Sequence, residues 1–510
     1  MVSVSCHRRQ ITAGTTPTST RWETAEVGRA DVQVVWFKRD LRVHDHAPLT
    51  AAARAGAVIP LYIVEPDVVW ASADHDPRHW AFLRECLVDL DTSLRRLGTP
   101  LVVRVGDAVE VLEQLRADHG VAAIHGHEET GNLATYARDR AVGAWARRQR
   151  VAFHETPQAG VIRRLTSRDD WGSRRQQRLA APVIPPPDQL VGIDLPPGEL
   201  PPAPAQSTWT WRQEGGETLG RRRLMEFLAG GVRGYETALS SPVTAWDGCS
   251  RLSPHFAYGT VSLHEAVRRT EASTGRADPA LKASLKAFGE RLAWHDHFVQ
   301  KLEDEPELER RSYIPEFDAL RPDADPRLLE AWATGHTGYP FLDACLRSLA
   351  ATGWINFRMR AMLVTFAAHD LWLPWQSFGH QLARWFTDYE PGIHWPQVQM
   401  QSATAGINTV RVYNPVKQGL DHDPTGEFTR TWVPELAHLP TEHMHQPWRF
   451  DVRPASYPPP LVDHAVAAAR ATERVEALRR RLSPQRRDVL ERHGSRRPAP
   501  PRRPPRRRPM

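Results

Sequence analysis

Between Pro182 and Pro204 the hydrophobic period of this chain changes, and that change limits its architecture more than any other feature. On the amino-terminal side, short β-branched runs alternate with amphipathic stretches. Val32–Phe37, Ala57–Val64, Leu101–Val105, Val121–His125 and Val151–His154 read as strands, and the segments between them as helices. Asp76 and Pro77 open one helix, Leu83, Leu87, Leu90, Leu94 and Leu97 line its buried stripe, and Gly98 stops it. Asp107 and Glu110 form a capping box for the next. Pro60 argues against a fully hydrogen-bonded interior for the second strand. The alternation is that of a doubly wound, parallel five-stranded sheet. Beyond the boundary strand patterns vanish and helical periodicity takes over, dense in tryptophan, so the second half reads as all-α. The boundary itself, with Pro185-Pro186-Pro187, Pro196-Pro197 and Pro201-Pro202, reads as a semi-rigid linker crossing a surface.

A chain of 510 residues exceeds what one core serves, so two globular units are expected, with tails. Residues 1–30 are rich in Thr and Ser and lack the apolar run of a secretory signal; they read as a disordered leader. Residues 484–510 are Arg/Pro-rich and read as a disordered tail. That tail matters to the charge. From Arg486 onward ten arginines face two acids, so eight of the positive charges lie there, and the remainder, against a total of +6, is near neutral at −2. Any surface for nucleic acid must therefore be a local patch. Four cysteines, none close to another, rule out Cys-x-x-Cys metal or redox motifs and argue against a disulfide framework and an iron–sulfur cluster; no metal site is expected. No run is long and apolar enough for a membrane, and a cytoplasmic monomer is the expectation.

Three separated stretches carry a resemblance. The first is Val34-Val35-Trp36-Phe37-Lys38-Arg39-Asp40-Leu41-Arg42-Val43-His44-Asp45, an apolar strand running into a charged turn where Asp40 can pair with Arg39 or Arg42. The second is Gly338-Tyr339-Pro340-Phe341-Leu342-Asp343-Ala344, then Thr352-Gly353-Trp354 and Asn356-Phe357-Arg358-Met359-Arg360, then Asp370-Leu371 and Trp375. The third is Asn414-Pro415, Asp421-His422, Gly426-Glu427-Phe428 and Trp432-Val433-Pro434-Glu435-Leu436. In this order they resemble the photolyase/cryptochrome family over about residues 32–436. The resemblance implies an α/β antenna-type domain at 31–160, a linker at 161–216, and an all-helical FAD-binding domain at 217–483.

It also implies residues for each need of a flavin. Tyr235 and the run Cys249, Ser250, Arg251, Leu252 and Ser253 match the family's phosphate-binding segment, with hydroxyls and N–H groups at a helix start. Arg360 and Asp388 match its ion pair beside the ring, where a fixed cation stabilises a reduced, anionic flavin. Trp294, Phe357, Tyr389 and Glu390 join the cofactor set, and His394 falls where the family places the residue facing N5. A histidine there is expected to tune the flavin in a pH-dependent way near neutrality.

The family's light-driven chemistry on DNA implies a further set. Trp375 and His394 are the catalytic candidates, Trp375 as the middle member of a three-tryptophan relay whose inner and outer positions fall on Val398 and near Pro322. Trp354, Trp372, Trp385, Trp395 and Tyr389 offer another route. Phe288, Arg291, Trp294, His295, Phe298, Arg358 and Met400 lie over the stretches that hold a flipped pyrimidine dimer in UV-damaged DNA. A second, antenna chromophore, a folate or a deazaflavin, is the further cofactor the resemblance allows, near His125-Gly126-His127-Glu128-Glu129. The expectation is a DNA photolyase using reduced FAD. The alternatives are a blue-light photoreceptor of cryptochrome type and a light-insensitive relative on the same scaffold.

Overall fold

The computed structural model describes residues 32–202, 212–405 and 410–483; the leader and the tail lie outside them. In the first half, β1 (Val32–Phe37), α1 (Ala47–Ala55), β2 (Ala57–Val64), α2 (Pro77–Leu97), β3 (Val102–Val105), α3 (Ala108–His119), β4 (Val121–His127), α4 (Leu133–Gln149) and β5 (Ala152–Thr156) alternate along the chain. The strands form one parallel sheet in the order β3-β2-β1-β4-β5. The central strand is buried along its whole length. Because side chains alternate along a strand, Val35 and Phe37 enter one core with Leu83, Leu87 and Leu90. Val34 and Trp36 enter another with Leu112 and Trp145 on the opposite face. Each fully buried aliphatic side chain of this kind contributes roughly 1.5–3 kcal/mol.

Local chemistry departs from expectation at three points. The reciprocal capping box belongs to α2, where Asp76 and His79 bond each other's backbone; Asp107 caps α3 through the Val109 and Glu110 N–H groups without a return bond from Glu110. Pro60 sits within β2, opposite Val35 of β1. It is tolerated because pairing with β3 starts only at Leu61. Asp40 pairs with neither Arg39 nor Arg42. Its Oδ2 lies 3.0 Å from His46 Nε2 and 2.8 Å from His127 Nδ1, and its Oδ1 accepts the Lys38 N–H. These three polar side chains lie close enough to share a cation. Their atoms are already hydrogen-bonded to one another, and His46 Nδ1 also accepts the Leu49 N–H.

The two freed arginines instead join the halves. Arg39 donates to the Ala257 and Tyr389 carbonyls, both at 3.0 Å, and Arg42 donates to the Gly259 carbonyl at 2.9 Å. Further along the seam Glu217 accepts the Val43 and His44 N–H groups, and Arg78 donates to the Trp385 and Ala350 carbonyls. The proline-rich stretch lies on the sheet domain. Val58 and Val103 donate to the Val191 and Pro197 carbonyls, and Leu190, which is buried, bonds back to Leu97. Before it runs a helix that the sequence reading left out, α5 (Trp171–Leu179).

The second half is helical throughout its described residues: α6 (Glu217–Glu226), α7 (Tyr235–Ala238), α8 (Pro242–Gly248), α9 (Ser253–Ala257), α10 (Leu263–Thr274), α11 (Pro279–Asp304), α12 (Pro326–Ala333), α13 (Pro340–Thr352), α14 (Phe357–Thr365), α15 (Trp375–Trp385), α16 (Pro391–Gln401), α17 (Pro415–His422), α18 (Glu427–Trp432) and α19 (His464–Arg481), with short tighter or wider turns between them. Among the described residues no helix is long and apolar enough to cross a membrane. The core at α13–α16 is built from Phe341, Leu346, Met362, Phe366, Phe378 and Leu382. The α11–α16 contact is close because Gly392 has no side chain: a Cβ there would meet Val299 Cα at 2.9 Å. Gly392→Leu is therefore expected to push the two helices apart and cost about 1–3 kcal/mol, which chemical denaturation measures.

Candidate functional site

Helical spacing brings three elements onto one cavity of about 280 Å³. From α11 come Phe288, Arg291, Leu292, His295 and Phe298, one face of a helix that Asp278 caps at Leu281 N–H and Pro279 begins. From α14 come Phe357, Arg360, Ala361 and Val364, and from α16 Ile393, His394, Gln397, Val398 and Gln401. The loop Cys249–Ser253 and Tyr235 close one end; Trp354, Asn356, Asp388, Tyr389 and Glu390 complete the wall. All the expected cofactor residues are thus gathered around one space. Of the residues expected at a DNA lesion, Arg358 and Met400 do not line it, and neither does Trp375. The Gly338–Ala344 motif does not reach the cavity either. Asp343 accepts bonds from Thr337, Gly338 and the Tyr457 hydroxyl, so this stretch ties α13 to the following segments. The segment 414–436 is likewise absent from the wall; its helices pack on α13.

The charged floor is a fork-to-fork pair. Arg360 Nη1 and Nη2 reach Asp388 Oδ1 and Oδ2 at 3.0 and 2.8 Å, Nε donates to the Ile355 carbonyl at 2.7 Å, and the guanidinium lies 4.1 Å from the Phe386 ring centre. The Asp388 side chain is 2% exposed and that of Arg360 24%. Beside it His295 Nε2 stands 2.9 Å from Glu390 Oε2 as an ion pair. Burial opposes charge on both, yet each partner outweighs it: Glu390 is held below the usual carboxylate range and His295 above the usual imidazole value.

In the Cys249–Ser253 loop Arg251 adopts a left-handed backbone at φ +55°. Its guanidinium lies in the corner formed by the rings of Trp246 and Trp354, 3.8 and 4.2 Å from their centres, the rings standing at 77° to one another. Burial pushes its pKa down to about 9. A strained, desolvated cation beside Ser250 and Ser253 is suited to a phosphate group. The short α9, five residues, adds little dipole of its own. Asn356 Oδ1 and Gln397 Oε1 are buried at the wall without hydrogen-bond partners among the described residues. Asn356 stands at the N-cap of α14 but spends its amide on the Leu239 carbonyl, not on a cap. Acceptors left open around an apolar space, with two guanidinium groups on its wall, fit a dinucleotide that carries donors on its ring and charge on its phosphates.

His394 corrects an expectation. It lies 2.9 Å, Nε2 to oxygen, from the Gly379 carbonyl, and burial pushes its pKa down to about 4, so it stays neutral through the physiological range. Its surroundings are the rings of Trp395 at 4.7 Å and Tyr389 at 5.3 Å. His255 and His369 are likewise pushed down to about 3 by burial. All three take up protons more readily when unfolded, near pH 6.5. Their contribution is therefore complete above that pH and is lost as pH falls through the window toward 4. The melting temperature is expected to drop steeply from pH 6.5 to 4, and less steeply in a His255→Gln variant; thermal scans across that range check it.

At the mouth stand Trp294, 43% exposed, Phe357, 39% exposed, and Arg291, whose guanidinium lies 5.7 Å from the Phe357 ring centre. Phe288 and Phe298 do not join them. Both are buried, Phe288 packed edge-on against Phe227 and Tyr235, because they occupy the inward edge of the α11 stripe. Trp375 is buried beneath the cavity, donating Nε1–H to Asp318 Oδ1 at 2.9 Å and packing on Trp395. Leu239, Phe256, Ile355, Phe386, Ile393 and Gln397 also line the cavity and were missed; no spacing signal separates them from ordinary core.

A second crevice, of about 90 Å³, lies at the carboxyl ends of β1 and β2. Arg138 crosses it, bonding Glu65 and Glu129 at 2.7 Å each, while Lys38 holds Asp139 at 2.8 Å. Of the expected loop 125–129, only Glu129 lines it.

A doubly wound domain clamped to a helical domain that encloses such a cavity defines a nucleotide-cofactor protein of two-domain type. Residues 33–169 match the DNA photolyase model, and residues 288–477 the FAD binding domain of DNA photolyase. The chain is 32% identical to the deoxyribodipyrimidine photo-lyase of Streptomyces griseus, over 86% of this chain and 98% of that one. It is 31% identical to the cryptochrome DASH of Gloeobacter violaceus, over 86% and 94%. Its fold superposes on the class III photolyase of Agrobacterium tumefaciens with a TM-score of 0.77 at 25% identity, covering 91% of this chain and all of that one. The chain belongs to the photolyase/cryptochrome family, and its helical half is an FAD-binding domain.

Proposed function

We propose that this protein is a DNA photolyase that splits UV-induced pyrimidine dimers in light. The observation that carries the reading is the cavity mouth: two exposed aromatic faces, Trp294 and Phe357, beside the exposed cation Arg291, above the Arg360–Asp388 pair. Bound, reduced FAD supplies, on absorbing blue or near-UV light, the electron that opens the dimer and takes it back afterwards. The protein's own part is binding and orientation. Ser250, Ser253 and Arg251 would hold the phosphates, Arg360 would hold positive charge beside the ring, and Asp388 would keep that guanidinium in place. Trp294 and Phe357 would stack on an extruded pyrimidine dimer, with Arg291 and Arg358 on its backbone phosphates. Relatives named deoxyribodipyrimidine photo-lyase support the reading.

A blue-light photoreceptor is the second reading. It is favoured by the burial of Phe288 and Phe298, the absence of Met400 from the cavity wall, and the relatives named cryptochrome DASH. Mixing chemically reduced protein with UV-irradiated oligonucleotide, with and without blue light, decides between them. Light-dependent loss of the lesion is the expected result; light-driven change of the flavin without lesion loss favours the receptor. A folate or deazaflavin antenna would belong in the crevice beside Glu65, Trp70 and Trp80. The chromophores released on denaturing the protein test this directly.

A further inference from the structure

Tyr389 is a cavity-lining side chain with a hydrogen-bonded path to the surface. Its hydroxyl donates to Asp74 Oδ2, whose other oxygen lies 2.5 Å from His380 Nδ1. Tyr389 is buried at 5% exposure and Asp74 at 3%, while the His380 side chain is 37% exposed. Asp74 and His380 together line an open groove with Asp67, Ser72, Asn132 and Arg310. The path joins the two halves, Asp74 coming from the loop before α2 and His380 from α15, and the Ala73 carbonyl is pinned by Arg384 at 2.9 Å. On the cavity side the Tyr389 ring meets His394 edge-on at 5.3 Å, and Arg39 fixes its backbone carbonyl.

We propose that Tyr389, Asp74 and His380 form a proton-coupled electron relay between the surface groove and the FAD cavity. The proposal rests on the reading of that cavity as the flavin site. Tyr389 passes one electron to photoexcited, oxidised FAD. Its O–H bond breaks, and the proton forms a new O–H bond on Asp74 Oδ2, leaving a neutral tyrosyl radical. A small-molecule thiolate in the groove returns an electron to Tyr389, the Asp74 proton goes back to the phenol oxygen, and two thiyl radicals so formed combine to a disulfide.

The physical ground is the cost of a buried charge. A phenol oxidised beside an ionised carboxylate sheds its proton at once, so no cation is left in a low-dielectric wall. Trp395 lacks this device, although Trp375, which packs against it, donates to Asp318 Oδ1. Trp395 does not line the cavity, and its Nε1–H has no hydrogen-bond partner among the described residues, so its oxidation would leave a cationic indole buried against Trp375 and the neutral His394. Val398 stands on the cavity wall where an inner tryptophan would be needed.

The test uses the full chain loaded with FAD, illuminated with blue light in the presence of dithiothreitol, and frozen for electron paramagnetic resonance. The expected radical is a tyrosyl, its signal narrowed when the protein is grown on ring-deuterated tyrosine and absent from Tyr389→Phe. Flavin photoreduction should be slower in heavy water and fall roughly 10²-fold in Asp74→Asn, the scale of positioned proton transfer, with partial recovery in Asp74→Glu. An indole radical untouched by tyrosine deuteration, or a Tyr389→Phe protein that photoreduces at the parental rate with full FAD content, overturns the relay while leaving the repair reading in place. Failure of the parent to bind FAD overturns both.

Discussion

Asp388→Ala is expected to destabilise the protein and empty its cofactor site together. The substitution removes both oxygens that hold the Arg360 guanidinium and leaves that cation against Phe386 with only the Ile355 carbonyl as acceptor. Removing one partner of a buried ion pair costs roughly 3–5 kcal/mol. The lower end applies here, since about a quarter of the Arg360 side chain is in water, at 24% exposure. Urea unfolding of the FAD-free protein measures the first effect and equilibrium dialysis against FAD the second. Arg360→Lys separates them, because it keeps the charge near the ring but loses the planar fork. It should retain more stability than Asp388→Ala and still bind FAD more weakly than the parent. An Asp388→Ala protein as stable as its parent and equally tight for FAD would remove the pair from the cofactor site.

The second large effect is expected at Gly259, in the seam between the halves. Its φ of +64° is left-handed, and a Cβ there would lie 2.1 Å from the Arg39 carbonyl oxygen and 2.6 Å from Asp40 Cα. Backbone cannot swing aside as a side chain can. Gly259→Val therefore combines a left-handed β-branched residue, about 1–3 kcal/mol, with overpacking of a similar size. The collision also displaces the turn that carries Arg39 and Arg42, whose bonds to Ala257, Gly259 and Tyr389 hold the helical half in register. Limited proteolysis should reveal faster cleavage between the halves, and FAD should be retained less well because Tyr389 is part of the cavity wall. Unchanged proteolysis and FAD content would mean that the seam yields without consequence.

How the sequence foretold some of these features and not others follows from the range of the forces involved. The five strands were legible because alternation and β-branching are local, and the observed sheet contains all five. The gathering of Cys249–Ser253, Arg360, Asp388, Glu390 and His394 was legible only through resemblance, since nothing in their spacing brings positions so far apart into one wall. Asp40 shows the limit most clearly. Two arginines flank it in the chain, but the pairing went to His46 and His127, one of them 87 residues away, because the turn aims both guanidinium groups across the seam at carbonyls. His394 shows it again: its residue type announces titration near neutrality, and burial under Trp395 and Tyr389 removes it.

What the amino-acid order determined by itself was periodicity, caps and breakers, hence the two architectures and the place where one gives way to the other; these depend on neighbours within a turn or a strand. Which acid meets which base, which aromatic stays wet at the cavity mouth and which histidine keeps its proton were decided only by tertiary packing, because desolvation and ion pairing depend on atoms brought together from distant positions in the chain.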